Sequence, residues 1–351
     1  MKKLLVIFLL LFTNLSADDF KLEKIIEGFS SPWSLTFVDN QNLLITEKPG
    51  NIKFINLKEK TIKDISHNLE VLEDGQGGLL DILHKEGNIF VSYSENRSKG
   101  MSSTSVARAK FSIKKLDFKN IFQAEPPINS GYHFGSRLVI KNKHLYVTAG
   151  ERGQGMIAQD HTKHPGSIIR INLDGSIPKD NPKFIDKKNW LPEIYQIGVR
   201  NPQGMSLSPF DDKIYLTNHG ARGGDWFGTA NIGENYGWKI LGWGGTNYSG
   251  TKIGPKWMPG FSKAIKYWVP SIAVSAMTIY KGETFKEWNG EALITSLKDQ
   301  SLRKIKFNKS KFIKEEIIFK GNIGRIRDIK IHESGDLYLL SDKGELWRMY
   351  K

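Results

Sequence analysis

The chain has 351 residues, of which 39% are hydrophobic and 25% charged, and it contains 34 glycines but no cysteine. The absence of cysteine excludes a disulfide framework and a lipid anchor on an N-terminal cysteine. The formal charge of +14 comes from lysines scattered over loop-like segments, without a basic helix or an alternation of aromatic and basic residues. This pattern argues against nucleic acid as a partner.

The first predicted element is a secretory signal peptide over residues 1–17. Two lysines open it, an apolar run of about nine residues follows, and it ends at Ser16 and Ala17. This run is far shorter than the roughly 20 residues that span a bilayer, although a retained membrane anchor is the alternative interpretation. We expect cleavage after Ala17 and a single exported domain over residues 18–351. That domain would be periplasmic or secreted, with no membrane span, as a monomer or homodimer.

Six copies of one pattern follow along the rest of the chain. Each copy joins two runs rich in Val, Ile, Leu, Tyr and Thr by a polar turn, which is typical of a β-hairpin. The copies begin at Ser34, Leu79, Arg137, Gly204, Ala276 and Arg327. Starts about 45 to 70 residues apart fit one propeller blade each. We therefore predict an all-β fold, a six-bladed β-propeller of four-stranded antiparallel blades closed by the early strand "FKLEKII". A β-sandwich is the alternative.

Two motifs beside the second and third repeats carry candidate polar groups. "GQGGLLDI" (Gly75–Ile82) sets Gln76 among glycines that allow a ligand close to the backbone, and an ordinary glycine turn is the alternative. "GYHFGSRL" (Gly131–Leu138) sets His133 at a boundary between loop and strand. A neutral imidazole can accept a hydroxyl proton, whereas a structural histidine is the alternative. Because a propeller gathers its loops at one channel end, we interpret such motifs together.

A third motif, "GVRNPQGMSL" (Gly198–Leu207), is dense in hydrogen-bond donors. It contains Arg200, Asn201 and Gln203. The guanidinium of arginine binds carboxylates through two parallel hydrogen bonds. Arg200 could therefore bind an anionic ligand or form an ion pair between blades, and the residues alone leave both open.

Two short motifs, "SLKD" and "GRIRD", add further cations to the predicted channel end. These are Lys298, Arg325 and Arg327. On a strand, Arg325 and Arg327 lie on one face because side chains alternate with period two. Their mutual repulsion requires an anion, which is either a ligand with several carboxylates or neighbouring acidic side chains.

A glycine-rich loop, "NHGARGGDWFGTANIGENYGW", extends from Asn218 to Trp238. Its carboxylates and exposed carbonyls are the oxygen ligands that calcium takes, six to eight at a time. A long surface loop without metal is the alternative interpretation.

Together the motifs resemble a known family, the soluble PQQ-dependent aldose sugar dehydrogenases of the glucose/sorbosone dehydrogenase type. The similar segments extend from about Pro32 to Arg348 and keep the family order. They are "PWSLTF", "GQGGLLD", "HFGSRL", "GSIIRINLDGSIPKDNP", "RNPQG", "GENYGW", "PSIAVSAMTIY" and "RIRD". The resemblance implies a six-bladed propeller that binds PQQ, a tricyclic quinone with three carboxylates. It also implies oxidation of an aldose sugar to a lactone, with an unknown final electron acceptor.

The resemblance also implies roles for individual residues. His133 would be the general base that takes the anomeric hydroxyl proton, Gln76 would contact the sugar, and Arg200 would lie against the quinone oxygens. Tyr132 stands where glucose-oxidising members have an aspartate, so the chain is more similar to the broad-specificity aldose branch. The residues implied to bind PQQ are Arg200, Asn201, Gln203, Tyr248, Lys298, Arg325 and Arg327.

For the metal, the resemblance implies a calcium ion held by the carboxylate of Asp225 and by the main-chain oxygens of Gly220, Ala221 and Tyr236. Trp226 stands where the family has an acidic ligand, which removes one expected calcium contact.

Two other functions fit a six-bladed propeller with this composition. One is a lactonase or related hydrolase with a metal in the channel, and the other is a non-catalytic sugar-binding propeller. Several basic side chains beside His133 favour the dehydrogenase, because a neutral sugar alone would leave those charges unpaired.

Overall fold

The structure, a computed structural model, describes residues 20–183 and 188–351. The predicted signal peptide lies outside these residues. Within them, the regular structure is 25 β-strands and two short 3-10 helices, Gly155–Gln159 and Lys286–Trp288. No helix in this part of the chain is long and apolar enough to cross a membrane.

The strands are short and follow the repeats in chain order. The first strand is β1 (Lys21–Glu27). Blade 1 contains β2 (Pro32–Phe37), β3 (Asn42–Glu47), β4 (Asn51–Asn56) and β5 (Thr61–His67). Blade 2 contains β6 (Leu79–Lys85), β7 (Asn88–Asn96), β8 (Ser102–Lys110) and β10 (Lys119–Gln123). Between β8 and β10, the two-residue strand β9 (Lys115–Leu116) pairs in parallel with β5 of blade 1.

The remaining four blades complete the ring. Blade 3 contains β11 (Gly135–Lys141), β12 (His144–Ala149), β13 (Ser167–Asn172) and β14 (Ile194–Ile197). Blade 4 contains β15 (Pro202–Leu207), β16 (Ile214–Asn218), β17 (Asp225–Thr229) and β18 (Lys266–Trp268). Blade 5 contains β19 (Val274–Ile279), β20 (Ala292–Ser296), β21 (Ser301–Asn308) and β22 (Lys311–Lys320). Blade 6 contains β23 (Ile326–Ile331), β24 (Leu337–Ser341) and β25 (Glu345–Tyr350), with β1 as its fourth strand.

The ring closes through β1. This strand pairs antiparallel with β25, from Lys21 opposite Tyr350 to Glu27 opposite Glu345. The predicted six-bladed β-propeller and its closure by the early strand are confirmed. Because β1 is the fourth strand of blade 6, the first and last described strands of the chain are held in one sheet.

The hydrophobic core is divided among the six interfaces between adjacent blades. For example, Leu44 and Ile52 of blade 1 pack with Val91 of blade 2, and Leu340 of blade 6 packs with Leu35 of blade 1. A fully buried aliphatic side chain contributes about 1.5–3 kcal/mol. Because every blade is held by two such interfaces, the residues at the channel sit on a rigid frame.

Each innermost strand has an irregular register near its start. The shifts lie at Pro32/Ser34, Leu79/Ile82, Gly135/Leu138, Pro202/Gly204, Val274/Met277 and Ile326/Asp328. Bulges of this kind re-aim side chains and are common next to active sites. Here all six occur at the same end of the channel, so this end is built to present side chains.

A buried ion-pair network closes the channel just beyond these starts. Arg137 Nη1 lies 3.2 Å from Asp81 Oδ1 and 3.0 Å from Asp328 Oδ1. Ser34 Oγ donates to both carboxylates, at 2.6 and 2.8 Å, and the guanidinium lies 4.1 Å from the centre of the Trp33 ring. Blades 1, 2, 3 and 6 are thus tied together at the axis.

Candidate active site

A cavity of about 270 Å³ opens where the innermost strands begin. This volume is near the lower end of the roughly 300–1,000 Å³ of small-molecule sites, so the cavity suits one compact ligand. All six blades contribute to its wall. The wall residues are Trp33, Lys48, Gly75, Gln76, Leu80, Phe134, Gly135, Asn201, Gln203, His219, Ala273, Leu297, Arg325 and Arg327. Five residues of the predicted site are among them.

His133 adjoins this wall in the turn before β11. Its Nδ1 lies 2.5 Å from Glu151 Oε1, and its main-chain N–H donates to Gln76 Oε1 at 3.0 Å. Its Nε2 has no protein partner among the residues that the structure describes. Burial lowers the pKa of His133, and the charges of Arg200 and Arg152 act in the same direction, against the opposing effect of Glu151. The ring is therefore neutral at neutral pH and able to accept a proton.

Glu151 determines which nitrogen of the His133 ring carries the proton. Its side chain is almost fully buried, and its Oε2 accepts the N–H of Gly155 at 2.6 Å. Burial would raise the pKa of Glu151, but its bonds to His133 and Gly155 and the charge of Arg200 hold this pKa below its usual range. An ionised Glu151 keeps the proton of neutral His133 on Nδ1 and leaves the Nε2 lone pair free.

An amide network connects His133 to the fourth blade. Gln76 Oε1 also accepts from Asn201 Nδ2 at 3.4 Å. Asn201 Oδ1 in turn accepts the N–H of Gly135 at 3.0 Å and a bond from Gln203 Nε2 at 3.1 Å. Gln76, Asn201 and Gln203 thus lie together at one wall of the cavity.

Arg200 is a buried cation without an ion pair. Only 5% of the residue is exposed, and no carboxylate lies within ion-pair distance in the described part of the chain. Its guanidinium lies 5.3 Å from the centre of the Trp238 ring. Burial lowers the pKa of Arg200, while Glu151 and Tyr248 act in the opposite direction. A buried charge of this kind is costly unless something pairs with it, so Arg200 favours an anionic ligand.

The two predicted arginines of "GRIRD" share one carboxylate. Arg325 Nε lies 2.9 Å from Asp342 Oδ2, and Arg327 Nε lies 2.9 Å from Asp342 Oδ1. Of the two alternatives, a ligand with several carboxylates or neighbouring acidic side chains, the second therefore accounts for part of the charge of these arginines. Lys48 adds a third cation to the wall and donates to the carbonyl of Gly75 at 2.7 Å. This side of the cavity keeps a net positive charge.

Two other predicted cofactor contacts lie outside the cavity wall. Lys298 is exposed, and Tyr248 is 74% exposed although it interacts with Arg200. The structure does not bring these two side chains into the cavity wall with Asn201 and Gln203.

Another histidine, His219, lines the cavity, whereas His133 is next to the wall residue Phe134 and is not itself part of the wall. His219 Nε2 donates to the carbonyl of Val274. Burial lowers the pKa of His219 to about 4. His219 is therefore a weak proton acceptor, and His133 is the better candidate for a base.

The predicted calcium residues have other partners. Asp225 Oδ1 accepts the N–H of Gly220 at 2.8 Å, while Oδ2 accepts Ser271 Oγ and the N–H of Ala273, both at 2.7 Å. The Tyr236 hydroxyl is bonded to the main chain of β17, so the atom of Tyr236 implied as a ligand is its main-chain oxygen. No group of three or more His, Asp or Glu that could hold a metal occurs in residues 20–183 and 188–351. Besides Asp225, the described residues at this site thus offer calcium the main-chain carbonyls of Gly220, Ala221 and Tyr236.

We therefore expect the unfolding temperature of the apoprotein to be the same with excess EDTA and with excess calcium. Both carboxylate oxygens of Asp225 already accept hydrogen bonds, so a cation would have to displace N–H donors. Differential scanning calorimetry checks this. Calcium at about 100 times its Kd would stabilise a specific site by about 2.7 kcal/mol, and an upward shift of that size would contradict the expectation.

Sequence reasoning missed Glu151, Lys48 and Asp342. Glu151 follows β12 in the segment "AGERG". A Cβ on Gly150 would lie 2.0 Å from the carbonyl oxygen of His133, so only glycine fits there. A glycine and an acid directly after the second strand of a repeat were the signal that could have indicated Glu151.

Comparison with known proteins agrees with the fold and the motif order. The profile described as Glucose / Sorbosone dehydrogenase matches residues 29–348. Aldose sugar dehydrogenase YliI of Escherichia coli (strain K12) is 35% identical over 343 residues, covering 93% of this chain and 92% of that protein. The apo-form crystal structure of the soluble aldose sugar dehydrogenase from Escherichia coli has a TM-score of 0.89 at 34% identity, over 94% of this chain and 99% of that one. The PQQ-bound aldose sugar dehydrogenase of Streptomyces coelicolor shares the fold, with a TM-score of 0.77 at 19% identity, over 95% and 98%.

Proposed function

The chain belongs to the glucose/sorbosone dehydrogenase family, and on this premise we propose that it oxidises aldose sugars to lactones with PQQ as cofactor and His133 as general base. Family membership supports the coarse activity, a sugar dehydrogenase. The observation that carries the finer proposal is the His133–Glu151 pair, 2.5 Å apart, beside the cavity. The charge of the buried Arg200 acts on both side chains.

The proposed proton transfer follows from this pair. Oxidation of an aldose at its anomeric carbon breaks one O–H and one C–H bond and forms a C=O bond. His133 Nε2 takes the hydroxyl proton, and Glu151 stabilises the imidazolium that forms. A positioned general base typically contributes about 10²- to 10⁴-fold to the rate. PQQ, when bound, supplies the quinone that accepts the hydride from the anomeric carbon.

The cations of the cavity support an anionic cofactor. PQQ carries three carboxylates, and a net positive wall with an unpaired buried guanidinium is chemically suited to them. We propose that Arg200, Arg325 and Arg327 bind these acidic groups, with Lys48 as an additional partner. Arg200 would also stabilise negative charge that develops on the quinone oxygens. Asn201 and Gln203 would hold the ring system, with Lys298 and Tyr248 at the rim.

The roles of the sugar contact and the metal are part of the same proposal. Gln76 would contact the sugar beside His133, and the exposed Tyr132 would favour a broad range of aldoses. Calcium would bind only together with PQQ, through the main-chain carbonyls of Gly220, Ala221 and Tyr236. The final electron acceptor stays unidentified, and the proposed export depends on residues 1–17, outside the described part of the chain.

The test is reconstitution of the purified apoprotein. We expect dye-linked oxidation of aldoses only after PQQ is added, together with a saturable change in the PQQ absorbance spectrum. The titration is run with calcium and with EDTA, and with Arg200→Met as a binding variant that should weaken PQQ affinity.

Three results would overturn this proposal. No activity with PQQ across a panel of aldoses would exclude the dehydrogenase. Lactone hydrolysis that needs no PQQ but is lost on chelation would indicate a hydrolase. Binding of a sugar without any redox signal would indicate a non-catalytic propeller.

A further inference from the structure

Arg152 is a buried cation beside the turn that carries His133. It follows Glu151 in the loop between β12 and the 3-10 helix Gly155–Gln159, and only 2% of it is exposed. No carboxylate forms an ion pair with it within residues 20–183 and 188–351. Burying such a charge is costly unless hydrogen bonds compensate. The hydrogen-bond acceptors around the Arg152 guanidinium therefore explain how the charge is tolerated.

Those acceptors lie around the turn that carries His133. Arg152 Nε donates to the carbonyl of Tyr132 at 2.9 Å, and Nη2 donates to the carbonyl of Ser130. Nη1 and Nη2 also bind the carbonyl and the hydroxyl of Ser102, each at 2.9 Å. The guanidinium carbon lies 3.6 Å from the centre of the Phe134 ring. One side chain therefore contacts the residues immediately before and after His133 and ties them to β8.

The backbone of His133 needs such support. Its φ is +53°, in the left-handed region, where a residue other than glycine costs about 1–3 kcal/mol and persists only if its surroundings hold it. The main-chain N–H of Arg152 donates to the His133 carbonyl at 3.3 Å, and Glu151 holds the ring. Two consecutive residues thus fix the backbone and the imidazole of the same histidine.

We propose that Arg152 is a positioning residue that holds the 130–134 turn in its left-handed conformation and so places the His133 ring for proton transfer. The inference rests on the proposed role of His133 as the base. Lysine cannot replace it, because a single ammonium lacks the planar fork that reaches four acceptors on three residues.

The charge of Arg152 has a second effect on His133. The charged groups that face this ring are Glu151, Arg152 and Arg200, and burial together with the two arginines lowers the pKa of His133. Loss of Arg152 removes one of these charges and admits water to the turn. Both changes raise the pKa of His133 towards its ordinary value of 6.5.

The experiment compares Arg152→Met and Arg152→Lys with the native protein. The pKa and the protonated nitrogen of His133 are measured in the apoprotein by NMR of ¹⁵N-labelled histidine, and kcat and KM are measured after reconstitution with PQQ. We expect a raised His133 pKa in Arg152→Met and a smaller rise in Arg152→Lys. In both variants kcat should fall by about 10²-fold, the usual cost of a misplaced catalytic group, with KM little changed.

Arg170→Met is the matched control. Arg170 is also buried, with 6% exposed, but it binds Asn181 and Asp180 at the outer side of blade 3. Its loss should lower stability without moving the His133 pKa.

An unchanged His133 pKa in a folded Arg152 variant, or a pKa that rises as much in Arg170→Met, would overturn the inference. If Arg152→Met does not fold, kcat and the His133 pKa of Arg152→Lys test the inference instead. If the native protein shows no PQQ-dependent oxidation while the NMR shifts occur, the proposed function fails and the positioning role of Arg152 stands.

Discussion

Replacing His133 by alanine is expected to lower kcat by about 10²- to 10⁴-fold, the usual contribution of a general base. His133 lies in a turn outside the strands of the blades, where its ring contacts Glu151 and lies near the Tyr132 ring, so the fold should persist. Steady-state kinetics of the PQQ-reconstituted protein with a saturating aldose measures kcat, and far-UV circular dichroism checks folding.

The matched control is His332→Ala. His332 bonds Asn40 and Ser334 in a turn at the far end of blade 6, away from the cavity, so its loss should leave kcat unchanged. Turnover of His133→Ala within tenfold of the native rate would exclude His133 as the base.

The pH dependence of kcat/KM is a second test of His133 as the base. Because burial lowers the pKa of His133 below 6.5, the neutral base is present above that lowered pKa. Activity should fall as the pH drops through it, so kcat/KM should decline on the acid side only below pH 6.5. An acid limb above that value would mean that another group titrates.

The fold could be predicted because its signal is local and repeated. Each hairpin joins two apolar runs by a polar turn, and six such copies favour radial closure over a β-sandwich. Strand β9 could not be predicted in this way. Its two residues pair in parallel with β5, about 50 positions earlier in the chain, and nothing in a two-residue segment specifies a distant partner.

Some residues of the candidate site could likewise be predicted from local sequence, and others could not. His133 and Gln76 were recognisable because glycines flank them, whereas Glu151 reaches His133 only through the β11–β12 hairpin. Asp342 was within reach of sequence reasoning. Ile326 pairs with Ser341 across the hairpin of blade 6, so a residue just after Ser341 must lie beside the arginines at 325 and 327.

The buried ion pairs of Arg137 at the channel axis should contribute strongly to the stability of the fold. Arg137→Met should lower the free energy of unfolding by about 3–5 kcal/mol, because removing one partner leaves a buried charge uncompensated. Asp81 and Asp328 are both almost fully buried, and Arg137 is the cation between them. Urea denaturation followed by tryptophan fluorescence measures the change.

Arg97→Met is the control for that measurement. Arg97 pairs with Glu125 at 2.5 Å, but half of the Glu125 side chain is exposed, and surface pairs contribute only about 0–1 kcal/mol. A similar loss of unfolding free energy in Arg137→Met and Arg97→Met would mean that the buried ion pairs stabilise the fold no more than a surface pair does.

Acid unfolding separates the loss of charge pairing from a loss of packing. Burial raises the pKa of Asp328, but Arg137, Lys330 and the bonds from Leu35 and Ser34 together hold it below its usual 3.8. Stability from Asp328 is therefore present above 3.8 and lost as the pH falls through its lower folded value. Without Arg137 the carboxylate protonates more readily, so the acid midpoint of Arg137→Met should move to higher pH. An unchanged midpoint beside a lowered stability in urea would assign the effect to the stacking of Arg137 on Trp33 instead.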